Sequence, residues 1–159
     1  MPTDVHVEVP IGRSPEDVAA IMFDPRRDAE WTTGVVASRP LTELPLRKGS
    51  LVEREVKFAG RRFTYRYEVV ATDDGRSLEL HVSQPFPMAV TYSLDASPEG
   101  TRASIQARGD AGGFFRLATP LLDRMVRRTI TKDLAALKRL AESGATADVA
   151  RLGEARTSS

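Results

Sequence analysis

Arg54 is the residue whose type and place in the chain point most directly to chemistry. Alternation with Val52 and Val56 sets it on the inward face of a strand, where an unpaired charge costs several kcal/mol. A guanidinium there needs an anion or an exit. In one reading it holds a carboxylate, phosphate or enolate of a ligand, helped by Tyr65, Tyr67 or Tyr92 from the inward phase of their own strands. If the chain is a catalyst, Arg54 and Tyr65 are the candidate catalytic residues, polarising a carbonyl while the surrounding shape folds the substrate. The competing readings are a salt bridge to a protein carboxylate, a side chain snorkelling from the strand end, and a bulge that turns it outward.

The other reactive types offer less. His6 and His81 both fall on the polar phase of their strands, so they are expected to face solvent, and no third ligand is spaced to make a metal site with them. Cysteine is absent, which excludes a disulfide framework, a thiolate zinc site and a cysteine nucleophile. There is no GxSxG elbow, phosphate loop or GxGxxG turn. No cofactor or metal is expected. Trp31, the single tryptophan, and Phe58, Phe63 and Phe86 read either as ligand-stacking aromatics or as plugs between helix and sheet. Arg124, Arg127, Arg128, Lys132, Lys138 and Arg139 read as a solvated helix face and not as a nucleic-acid patch. A glycine pair, Gly112-Gly113, serves a turn or hinges Phe114 and Phe115 as a gate.

These residues sit in a chain of 159 residues, 41% hydrophobic and 28% charged, with 23 basic against 22 acidic side chains. One globular domain is expected, able to bury roughly 70% of its unfolded surface. Near-neutral charge gives no global field toward nucleic acid or anionic membrane. With no secretory leader pattern and no apolar stretch of bilayer length, a cytoplasmic protein without stable membrane insertion is expected, as monomer or homodimer.

The elements follow from period and punctuation. Val5, Val7, Val9 and Ile11 alternate with polar residues as a first strand. Ser14-Pro15-Glu16-Asp17 then supplies an N-cap, a proline at the first helical position and an acid three residues after the cap. Asp24-Pro25 repeats the cap and proline for a second short helix to about Trp31. From Val35 to Gly109, turn signals at Lys48-Gly49, Ala59-Gly60, Asp73-Asp74-Gly75, Gln84–Pro87 and Ser97–Gly100 divide six strands. Residues 114 to 142 read as a long helix with Gly144 as its stop, and 143–159 as a polar, flexible tail. The helix stripe drifts, Ala118, Leu121, Leu122 and Met125 in the first half and Ile130, Leu134, Leu137 and Ala141 in the second.

This order segregates helices to one face of a curved sheet, an α+β arrangement. On Val7-Glu8-Val9 before Ser14–Val18, on Asp24-Pro25 leading to Trp31, and on the ending Asp133–Leu140, residues 3 to 142 resemble the START-like or SRPBCC superfamily, in particular its polyketide cyclase/dehydrase and lipid-transport branch. The resemblance implies a helix-grip fold: a curved seven-stranded antiparallel sheet wrapped around a long C-terminal helix, with two short helices after strand 1. It also implies an internal cavity between sheet and helix, open near the second short helix. The ligand-binding set expected for residues 1–142 is Trp31, Arg54, Phe58, Phe63, Tyr65, Tyr67, Met88, Tyr92, Ala118, Leu121 and Met125. The expected partner is a small hydrophobic molecule: a lipid, polyketide or aromatic metabolite. Two alternatives stand beside simple binding: a polyketide cyclase/dehydratase-type enzyme using Arg54 and the tyrosines, and a protein-interaction module like co-chaperones of this fold.

Overall fold

The structure is a computed structural model and describes residues 3–58, 60–84, 87–109 and 119–157. Strand β1 (Thr3–Ile11) leads to helix α1 (Pro15–Met22), a 3-10 turn (Pro25–Arg27) and helix α2 (Asp28–Trp31). Six strands follow: β2 (Val35–Pro40), β3 (Leu51–Phe58), β4 (Arg61–Asp73), β5 (Ser77–Val82), β6 (Met88–Ser97) and β7 (Gly100–Gly109). Helix α3 (Thr119–Thr157) closes the chain. All pairings are antiparallel, in the order β1-β7-β6-β5-β4-β3-β2. This is the helix-grip fold.

Local chemistry builds these elements as the sequence predicts. The Ser14 side chain accepts from Asp17 N at 3.2 Å and starts α1. Asp24 accepts from Arg26 N at 3.0 Å and starts the 3-10 turn, so the second short helix is split in two. The β6–β7 turn ends on Gly100 at φ +135°, where a Cβ would lie 2.6 Å from Arg13 O; no side chain fits there. Bulges between Val35 and Ala37 and between Val69 and Ala71 add bend to β2 and β4.

The concave face holds the core: Val5, Val52, Val69, Leu80, Leu94 and Ile105 among others, against Val18 and Met22 of α1 and Ile130, Leu134, Leu137 and Ala141 of α3. The second half of the α3 stripe is therefore buried. In the first half, Leu121 and Met125 are 46% and 39% exposed. Two residues of the basic run, on the solvated side of α3, also reach backbone carbonyls. Arg127 Nη1 donates to His6 O at 3.3 Å and Lys138 Nζ to Pro10 O at 2.7 Å, so α3 covers carbonyls along the outer edge of β1.

One boundary is corrected. Gly144 does not stop the helix: α3 runs on to Thr157, so the division placed at residue 142 falls inside it. The added stretch has no proline, and its two interior glycines, Gly144 and Gly153, cost only about 1 kcal/mol each.

Candidate functional site

The inward alternation of β3 and β4 places Arg54 and Tyr65 directly opposite each other. Arg54 is 5% exposed. Its Nε donates to Asp28 Oδ2 at 2.9 Å, its Nη1 to the Tyr65 hydroxyl at 3.1 Å, and its Nη2 to the Tyr92 hydroxyl at 3.4 Å. Its Cζ lies 4.7 Å from the centre of the Tyr67 ring, a cation–π distance. The curl of the sheet is what brings Tyr92, three strands away on β6, into this group. Trp31 of α2 meets Tyr92 edge-on with ring centres 5.6 Å apart. Five of the expected residues, Trp31, Arg54, Tyr65, Tyr67 and Tyr92, thus form one cluster.

Of the readings open for Arg54, the inward side chain paired with a protein carboxylate is the one realised. The sequence reading did not single out that partner, Asp28, nor the nearby Asp133. Asp28 opens α2, three residues before Trp31, so the two share a helix face and both are buried. Its Oδ2 also accepts from Ser38 at 2.8 Å. Asp133 on α3 accepts from Thr33 N and Oγ1 at 2.7 and 2.5 Å, tying the α2–β2 connection to the long helix. The signal for Asp133 was its spacing, i+3 from Ile130 and i−4 from Leu137.

Burial pushes the Asp28 carboxyl above its usual range, against the pull of Arg54 and Ser38. Burial opposes the charge on Arg54 as well, but the oxygens of Tyr65, Tyr92 and Asp28 around it outweigh that and hold it protonated. The same desolvation lifts the Tyr67 hydroxyl and pushes Tyr92 up to about 12, so both phenols keep their protons. Asp133 is raised by burial against its Thr33 hydrogen bonds. Trp31 Nε1 is buried and has no hydrogen-bond partner among the described residues.

Four other expected residues lie outside this cluster. Phe63, Leu121 and Met125 are exposed and Met88 is half-buried. Ala118, Phe86 and the Gly112–Phe115 segment fall outside the described residues, as does the side chain of Phe58. His6 and His81 are exposed, His81 beside Glu79 at 3.0 Å. An open groove of about 690 Å³ crosses the end of the sheet, lined by Leu51, Tyr67, His81, Val82, Met88 and Arg108 among others. It contains no residue of α2 or α3, so it is not the opening expected near the second short helix. Tyr67 alone belongs to both groove and cluster.

The interior opens gradually along one strand. On the inward face of β4, Val69 and Tyr67 are 0% and 2% exposed, Tyr65 is half-buried and Phe63 is 39% exposed. The α3 contacts to His6 and Pro10 run in the direction of β1, which puts Leu121 and Met125 at the same end as Phe63. Among the described residues, sheet and helix lose their cover together there.

Solved structures with this shape share little sequence with it, so they carry the fold alone. A START superfamily protein from Mycobacterium smegmatis superposes with TM-score 0.75 at 14% identity, covering 88% of this chain and 97% of that one. The di-domain ARO/CYC StfQ from the steffimycin biosynthetic pathway gives 0.74 at 14% identity, covering 92% of this chain and 52% of that one. Protein NE0264 from Nitrosomonas europaea gives 0.73 at 16% identity, with 91% and 97% covered. No curated protein matches the chain. The model of one sequence family, described as polyketide cyclase / dehydrase and lipid transport, matches residues 2–142, and to that family the chain belongs.

Proposed function

We propose that the protein binds a small hydrophobic molecule between the concave face of the sheet and α3, admitted at the β3–β4 hairpin end. The observation that carries this reading is the exposure gradient: inward-phase Phe63 and the first turns of α3 present apolar side chains to water at one end of an otherwise buried interior. Apolar groups left so are a surface waiting to be covered. The family description, with its lipid transport and polyketide chemistry, agrees with a ligand of that class. Transport or storage ranks ahead of turnover because both carboxyl groups of the cluster already accept hydrogen bonds, Asp28 from Arg54 and Ser38, Asp133 from Thr33.

The test uses N-phenyl-1-naphthylamine, a neutral dye that brightens in apolar surroundings, with Trp31 fluorescence as a second signal. Saturable one-to-one binding is expected, weakened several-fold in Leu121→Ser and Met125→Ser. Both residues are exposed, so thermal stability should change by less than about 0.5 kcal/mol. Non-saturable binding, or equal affinity in both variants, would sink the reading.

A further inference from the structure

We infer that the interior selects molecules whose polar end is an uncharged oxygen acceptor, such as the carbonyl of a ketone or quinone, over those ending in a carboxylate or phosphate. The inference rests on the binding reading above and concerns the Arg54 cluster.

The hydrogen-bond inventory is lopsided toward donors. Arg54 uses three of its five N–H groups, on Asp28, Tyr65 and Tyr92. Each of those hydroxyls accepts from the guanidinium, so its own proton is left to give, and neither donates to another group among the described residues. Trp31 is 3% exposed, and its Nε1–H has no partner there either. The indole touches Tyr92, Tyr92 touches Arg54, and Arg54 touches Tyr65, so the residues that carry the spare donors are neighbours. A buried donor left unmatched, as the Trp31 Nε1–H is, is costly, and a ligand oxygen satisfies it.

Charge decides which oxygen. The Arg54 cation is already matched by Asp28 at 2.9 Å, with side chains 6% and 2% exposed, and Asp133 brings a second buried acid within the field of Arg54. A ligand carboxylate would shed its hydration beside two acidic groups, where the Arg54 cation, among the described residues, is already paired. A carbonyl carries the same lone pairs at a far smaller desolvation cost.

Three naphthalenes of similar size separate the possibilities at pH 7.5: 2-acetylnaphthalene, 2-ethylnaphthalene and 2-naphthoate, titrated into ¹⁵N-labelled protein. Trp31 gives the only indole N–H signal, placed inside the site. The ketone is expected to bind at least about fivefold more tightly than either other probe, the worth of one hydrogen bond, and to move the indole proton downfield. Tyr92→Phe should erase most of the ketone's advantage over the hydrocarbon. Asp28→Asn, which uncovers the Arg54 charge, should move preference toward naphthoate; should that variant fail to fold, the wild-type ranking and Tyr92→Phe still decide. Naphthoate equal to or tighter than the ketone in the wild-type protein overturns the inference, as does equal binding of ketone and hydrocarbon, and both leave hydrophobic enclosure standing. Failure of all three to saturate overturns the enclosure reading itself.

Discussion

Replacing Asp28 by Asn tests whether the centre of this protein is an ion pair or merely a crowded arginine. Asn keeps the shape of the side chain and an oxygen for Ser38, 2.8 Å away, so the change is mostly one of charge. Arg54 would be left 5% exposed with tyrosine hydroxyls but no adjacent carboxylate. Stranding one member of a buried pair costs about 3–5 kcal/mol. A domain of this size holds roughly 5–15 kcal/mol in all, and each kcal/mol is worth about 2–4 °C, so a fall of about 6–20 °C in Tm is expected. Urea unfolding followed by circular dichroism, for Asp28→Asn, Arg54→Met and the double variant, gives the coupling directly. The double variant should recover at least half of the single loss, because no charge remains stranded. A loss below about 1 kcal/mol in Asp28→Asn would refute the reasoning, and so would a double variant no more stable than the single. Either result would mean that Arg54 is satisfied from elsewhere, with Asp133 the first candidate, since its carboxyl already feels the guanidinium.

Two further outcomes follow from the same geometry. Burial raises the folded-state pKa of Asp133 above its ordinary 3.8, so the folded chain holds that proton more tightly than the unfolded one. Stability from this group is therefore full below about pH 4 and is lost as pH rises through the raised value. Asp133→Asn retains an oxygen for Thr33 and should flatten that decline in urea unfolding between pH 4 and 7.5; parallel curves for variant and wild type would count against it. Gly100→Ala forces a Cβ to within 2.6 Å of Arg13 O and 2.8 Å of Ile11 O at φ +135°, all backbone atoms that cannot step aside. A loss of more than about 2 kcal/mol is expected, with Tm lowered by several degrees, and a neutral substitution would show that the β6–β7 turn is free to move.

The strands were legible because each side chain's face is set by its neighbours two residues away, and because glycine, proline and aspartate pairs marked every turn between them. Val52, Tyr67, Leu80, Leu94 and Ile105 all lie inward as their alternation requires. The caps at Ser14 and Asp24 were local too. What was not legible was the consequence of curvature. Alternation put Tyr92 on the same face as Arg54, but with β3 and β6 three strands apart their direct contact comes from the curl of the whole sheet. The end of α3 failed for the opposite reason, since a glycine read locally as a stop is outweighed by the helix formers on both sides.

The identity of the Arg54 partner shows where the missing information lies. A buried arginine on a strand predicts that some carboxylate exists, but 22 acidic residues could supply it, and alternation ranks none of them. Asp28 and Asp133 were distinguishable only by sharing a helix face with residues that had to be buried, Trp31 in one case and Ile130 and Leu137 in the other. An acid on an apolar helix stripe is expensive unless something compensates it, so such an acid and an inward arginine imply each other. Once they are paired, the functional question changes. Arg54 no longer offers a free positive charge; what the cluster still has to give is hydrogen bonds from Tyr65, Tyr92 and Trp31, and those favour a ligand that brings oxygen without bringing charge.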